Sequence, residues 1–251
     1  MEEEVQYLLI SLTSYVVLFL LWAIISLPAH AATNTIAIQT KGTSTSISID
    51  QSGSSNTTTV WCGLSNGTYT THTCSNASMT IDQHGVSNIA RAYSQVSNHN
   101  DNVYIINQNG NSNNGYIDLD DDDNVASITQ TGNSNYGEIY MKGDDNVYTI
   151  TQTGSSFYAK MYAFGDDSTW AITQSGTGNH NAYIKSCGNC NNNDATITQS
   201  GSGTKDGDIE FRNNPADNNT ANLTQSGDGL HVGNILVTTS CNKTVTVNQF
   251  D

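Results

Sequence analysis

A five-residue phrase returns along the chain and restricts its fold more than any other feature. It reads Ile-Asp-Gln-Ser-Gly ending at Gly53, Ile-Asp-Gln-His-Gly at Gly85, Ile-Asn-Gln-Asn-Gly at Gly110, and Ile-Thr-Gln-Thr-Gly at Gly132 and Gly154. It continues as Ile-Thr-Gln-Ser-Gly at Gly176 and Gly201 and Leu-Thr-Gln-Ser-Gly at Gly227, and closes as Val-Asn-Gln at Gln249. The anchoring glutamines are Gln51, Gln83, Gln108, Gln130, Gln152, Gln174, Gln199, Gln225 and Gln249; from Gln108 to Gln174 they lie 22 residues apart, and elsewhere 24 to 32. A constant core unit with its extra length placed in loops is the mark of a solenoid.

Inside one unit the residues alternate with period two, the signature of a strand with one buried face. Asn124, Ala126, Ile128 and Gln130 point to one side, and Val125, Ser127, Thr129 and Thr131 to the other. Gly132 and Asn135 supply turn residues able to take positive φ. A second alternating stretch follows, with Gly137, Ile139 and Met141 inward, and then the turn Gly143-Asp144-Asp145-Asn146. Strand, turn, strand, turn closes one rung. Nine glutamine strands, each with a second strand, predict an all-β, two-sheet, amyloid-like solenoid of about nine rungs with repeats of about 22 residues. At roughly 4.8 Å per strand the stack would be about 43 Å long. Pro215 falls in a loop, where its missing N–H harms no ladder.

Equal registers put like residues above one another. The inward glutamines, with Asn102, Asn124, Asn146 and Asn219 at the strand starts, then form columns whose amides bond along the axis, relieving the cost of burying them. Apolar columns run beside them: Ile81, Ile106, Ile128, Ile150, Ile172, Ile197 and Leu223 in one sheet, and Ile139, Met161 and Ile184 with Ile117, Ile209 and Ile235 in the other. The small column of Gly115, Gly137, Ala159, Ala182 and Gly207 lets the sheets approach closely.

Composition suits such an array and little else. Only 12% of residues are charged and 36% hydrophobic, too polar for an ordinary core, so the chain must be disordered or satisfy its polar groups in a repeating array. The net charge is −15, and removing Glu2, Glu3 and Glu4, with no Lys or Arg among residues 1–31, leaves about −12, which disfavours nucleic acid as a partner. Residues 7–27 are almost wholly apolar and lead through Pro28 to Ala29-His30-Ala31, so residues 1–31 are expected to be a signal peptide cut after Ala31, and residues 32–251 the repeat domain. The apolar run is also long enough for a retained anchor.

The pattern of Asn or Ser, five residues, Gln-x-Gly-x-x-Asn, then x-Ala or x-Gly resembles the curlin repeat of curli fibre subunits. It is nearest at residues 168–174, 124–137 and 77–90, and weaker versions cover nearly all of residues 33–251. The resemblance implies a secreted amyloid-like solenoid, exported unfolded across the outer membrane and polymerised on a nucleator into fibres for adhesion and biofilm matrix. Its partners would be other copies of itself, the nucleator and the export machinery; no cofactor is implied. Curlin repeats carry a second glutamine late in the second strand, where this chain has Ser94, Leu119, Met141, Ala163, Ser186, Phe211 and Val237.

Other residues invite specific chemistry. Cys62 and Cys74 bracket a loop that a disulfide would close; Cys187 and Cys190 form a lone C-x-x-C suited to a turn-level disulfide or free thiols, and Cys241 is left over. The acidic turns around Asp122, Asp144 and Asp166 stack at one corner of consecutive rungs, so their carboxylates are weak calcium candidates or solvated gatekeepers against premature association. His72, His84, His99, His180 and His231 lie at unrelated registers, with no triad and no phosphate loop, so the chain is not expected to be an enzyme. Two rival readings remain at this stage. One is a monomeric solenoid binding ice or polysaccharide through the outward Thr129, Thr151, Thr173 column or through Tyr93, Tyr116, Tyr140, Tyr158, Tyr162 and Tyr183. The other is a membrane-anchored adhesin.

Overall fold

A computed structural model describes residues 25–26, 33–40, 44–62, 74–94, 99–119, 121–162, 165, 167–186, 194–211, 219–237 and 243–251. The expected cleavage point at Ala31, the cysteines Cys187, Cys190 and Cys241, Ala163, Asp166 and Pro215 lie outside these residues.

The chain is an all-β solenoid of about seven turns built from parallel sheets. Its principal sheet has ten strands: Ile25–Ser26, Ser46–Ser54, Ser78–Val86, Val103–Asn109, Val125–Asn133, Val147–Ser155, Thr169–Ser175, Asp194–Gln199, Asn219–Gln225 and Lys243–Gln249, in that spatial order. All pairs are parallel and keep one register, so Gln51, Gln83 and Gln108 pair in sequence and Ile128 faces Ile150 as Gln130 faces Gln152. A strand of period two can hold that register along a stack only if the same face is buried at every rung. Residues 124, 126, 128 and 130 are buried, and the residues between them are partly exposed.

The second sheet is shorter than the alternation alone suggests. Thr35–Ala37, Thr57–Thr59, Ile89–Arg91 and Asn114–Tyr116 pair in order, Lys205–Asp206 pairs with His231–Val232, and single bridges join Asn114 to Tyr136 and Tyr136 to Tyr158. The inward alternation nevertheless continues past these strands, burying Ile117, Ile139, Met161, Ile184 and Ile209. The strands stop early because the backbone turns left-handed near the end of the stretch, at Cys62, Leu119, Tyr140 and Tyr162 with φ of 42°, 46°, 57° and 78°. Backbone bonds still cross between rungs there, as from Ile139 N to Tyr116 O.

The first turn differs from expectation in one residue. Gly132 has φ of 117°, but the next left-handed residue is Ser134 at 58°, not Asn135. Asn135 is buried and spends its side chain on neighbouring rungs: its Nδ2 donates to Gly154 O and its Oδ1 accepts from Phe157 N.

The glycine of the repeated phrase is held by stacking as well as by φ. A Cβ on Gly132 would lie 1.8 Å from Gly154 O in the next rung. We expect Gly132→Ala to lose roughly 2–4 kcal/mol in urea unfolding, from left-handed strain plus this clash. Gly137→Ala, at a register that Ala159 and Ala182 fill in later rungs, should lose less than about 1 kcal/mol.

Candidate functional site

The interior of the stack carries one continuous feature, a line of glutamine amides. Each Nε2 donates to the Oε1 of the glutamine one rung further on, from Gln51 through Gln83, Gln108, Gln130, Gln152, Gln174, Gln199 and Gln225 to Gln249, at 2.6 to 2.9 Å. A primary amide has two N–H groups. The second one crosses the interior to a backbone carbonyl of the other sheet: Gln108 to Ile89 O, Gln130 to Asn114 O, Gln152 to Tyr136 O and Gln174 to Tyr158 O. One side chain therefore joins rung to rung and sheet to sheet. The same amide explains the small column, because a Cβ on Gly115 or Gly137 would stand 3.3 or 3.4 Å from the Nε2 of Gln108 or Gln130.

Two asparagine lines flank the glutamines. At the strand starts Asn124 N donates to Asn102 Oδ1, Asn146 N to Asn124 Oδ1 and Ser168 N to Asn146 Oδ1, so the line runs through backbone donors. Asn219 is equally buried, yet among the described residues neither of its side-chain atoms finds a hydrogen bond. A second line, not recognised from the sequence, occupies the turn after the glycine. There Asn56, Asn88, Asn113 and Asn135 each offer the backbone N to the preceding asparagine Oδ1 and the Nδ2 to a glycine carbonyl ahead. The Asn of Gln-x-Gly-x-x-Asn was its available signal.

Beyond Asn135 that column becomes Phe157, His180, Lys205 and His231. His180 bridges to Lys205, and Lys205 pairs with His231, which corrects the reading that these histidines lie at unrelated registers. The Phe157 and His180 rings stack at 4.5 Å, and Lys205, fully buried, donates to Ser202 O and Gly229 O. Burial, with the Lys205 charge adding to it, pushes the His180 imidazole down to about 4.

The apolar columns lie where the registers put them. Ile81, Ile106, Ile128, Ile150, Ile172, Ile197, Leu223, Ile139, Met161 and Ile184 are all buried in one core cluster. Ser94, Leu119, Met141, Ser186, Phe211 and Val237, at the expected second-glutamine register, are buried as well. Cys62 and Cys74 form a disulfide that closes the intervening loop.

The acidic turns bond to the backbone of one another. Asp122 N donates to Asp144 Oδ1 at 2.8 Å, Asn100 N donates to Asp122 Oδ1 at 2.7 Å, and Asp121 Oδ2 accepts from Gly143 N. The carboxylates thus serve the backbone of adjacent turns, while Asp123, Asp145 and Asp167 hold left-handed φ, which Asp tolerates. Among the described residues Asp122 and Asp144 belong to no cluster of three metal-ligating groups. Carboxylates in neighbouring rungs add to the loss of solvation in raising Asp123 above its ordinary value.

These features define a class: a structural β-solenoid with polar ladders in its core. The family model of the curlin associated repeat matches residues 122–154 and 165–201, and over that stretch the chain is similar to curlin-repeat proteins. Proteins of this family are extracellular fibre components and structural rather than catalytic. Among curated proteins no relative matches the chain.

Gln130→Ala would leave Gln108 Nε2 without its acceptor and Gln152 Oε1 without its donor, and should cost about 3 kcal/mol in urea unfolding. Gln51→Ala, at the end of the line, should cost roughly half as much. A second test uses pH. His180 favours its neutral form in the fold, so its contribution is complete above its ordinary pKa of 6.5 and is lost as pH falls from there toward 4. Thermal midpoints measured across that window should fall in the parent protein more steeply than in His180→Phe.

Proposed function

We propose that this chain is an exported structural subunit of curli-like extracellular amyloid fibres that stacks head to tail and supports cell adhesion and biofilm matrix. In this reading residues 1–31 are a signal peptide removed after Ala31. Residues 32–251 form nine rungs on a period of about 22 residues, and the protein acts by assembly rather than catalysis. Its partners are further copies of itself, a curli-type nucleator and outer-membrane export machinery.

The observation that carries the reading is the direction of the glutamine line. Its amides all point one way, so its two ends are complementary. At the Gln51 end Oε1 is buried and accepts no hydrogen bond from the described residues. At the other end Gln249 Nε2 donates to Val232 O and retains a second N–H for an acceptor ahead. The strand Lys243–Gln249 forms that edge of the sheet, with Val245 and Val247 only partly covered by the core. An open edge with apolar residues along it invites a further strand. At the opposite edge Ile25–Ser26 pairs with Ile49 and Asp50. Cleavage after Ala31 would remove that segment and open the edge of Ser46–Ser54 to a second copy.

Residues 32–251, diluted from denaturant, should form unbranched thioflavin-positive fibres after a lag, seen in parallel by negative-stain microscopy. Val247→Pro, which breaks the pairing of the edge strand with Asn219–Gln225 and so distorts the open edge, should slow elongation several-fold. A persistently soluble β-rich monomer would instead support a binding module presenting the outward threonine array.

A further inference from the structure

The outer face of the principal sheet departs from its own pattern at one end. Through the later rungs one outward column is Thr129, Thr151, Thr173, Thr198 and Thr224, and the next is Thr131, Thr153 and Ser175. In the first rungs the same registers hold Asp50, Asp82 and Asn107 in one column, and Ser52, His84 and Asn109 in the other. Threonine is the favourable residue on a solvated strand, and aspartate is among the unfavourable ones. Two aspartates directly across a parallel pair also repel. Both columns change over the same rungs, which brings oxygen and imidazole ligands together at one spot.

The groups converge closely. One ligand atom from each of Asp50, Asp82 and His84 lies within 4.8 Å of the others, and His84 Nε2 is 2.7 Å from Asp82 Oδ1. That Asp82 oxygen is itself shielded from solvent, with the His84 nitrogen as its ion-pair neighbour, while the Asp82 side chain as a whole is 40% exposed. On its other side the ring meets Ser52 Oγ through Nδ1. An oxygen partner on the far nitrogen fixes the orientation of a ligating imidazole and turns its second nitrogen toward the metal.

We propose that Asp50, Asp82 and His84 form a binding site for a divalent transition ion of the zinc class, with Ser52 orienting the His84 ring. Two carboxylates and one imidazole are a borderline donor set suited to Zn²⁺ and ill suited to Ca²⁺, which takes six or more oxygens. Ligands of one zinc ion stand roughly 3–4 Å apart, so small side-chain rotations close the site. The ion would also neutralise the Asp50–Asp82 repulsion that the stacked register imposes.

Zinc binding to the full chain, measured by competition with a chromophoric chelator, tests the site. Saturable binding of one equivalent is expected, weakened at least tenfold by His84→Thr and by Asp82→Asn. His84→Thr installs the residue that the repeat itself uses at Thr131, and its β-rich circular dichroism should be unchanged. With Co²⁺ in place of zinc, a visible d–d spectrum without a thiolate charge-transfer band should appear and be lost in His84→Thr. Absence of saturable binding, equal affinity in parent and variants, or a thiolate band placing the ion on cysteines would each overturn the proposal.

Discussion

Burying a primary amide is costly unless each of its hydrogen bonds is satisfied, and the rest of this structure depends on how a line of nine glutamines meets that requirement everywhere between its two ends. Their amides satisfy one another only if successive strands are parallel and in register, at one strand spacing. That condition sets the direction of every pair in the principal sheet. The second N–H of the amide then fixes how far the other sheet can stand, because it must reach a backbone carbonyl there. Small residues line the opposing register because the amide already fills the space. Apolar columns contribute burial but no direction, since Ile128 could pack against many neighbours, whereas Gln130 has one acceptor ahead and one donor behind.

The same logic repeats at the corners. Asparagines after the glycine and aspartates at the opposite turn each bond to the backbone of the adjacent rung, so turns stack as tightly as strands. Where the column changes to Phe157, His180 and Lys205, ring stacking and the bonds from the Lys205 ammonium to two carbonyls replace the amide line. The result is a core in which polar and apolar columns alternate, as in a steric zipper wound into one chain.

Much of this was legible because the period is two and the glutamines recur at fixed offsets. Once Gln108, Gln130, Gln152 and Gln174 are aligned, the inward places of Ala126, Ile128 and Asn124 follow by alternation. The turns were less legible. Asn135 both tolerates left-handed φ and forms hydrogen bonds, and nothing in its neighbours says that Ser134 takes the φ instead. The left-handed Tyr140 that ends the second strand sits in a run of good strand formers, so propensity points the other way. The His180, Lys205 and His231 column was hidden by one inserted residue. Each lies six positions after its glutamine, where Asn135 and Phe157 lie five after theirs, so a fixed offset misses them. The Asp50, Asp82 and His84 cluster was within reach of the sequence, since the alignment that pairs Gln51 with Gln83 also pairs Ser52 with His84.

The most direct measurement of the central claim is hydrogen exchange of the glutamine side-chain amides, followed by NMR on glutamine-labelled protein. A continuous buried line requires the amides of Gln83 through Gln225 to exchange as slowly as the strand backbone, with Gln249 at the edge exchanging faster. Side-chain amides exchanging at the rate of free glutamine throughout, beside a protected backbone, would show that the stack is held by its apolar columns alone and would contradict the account.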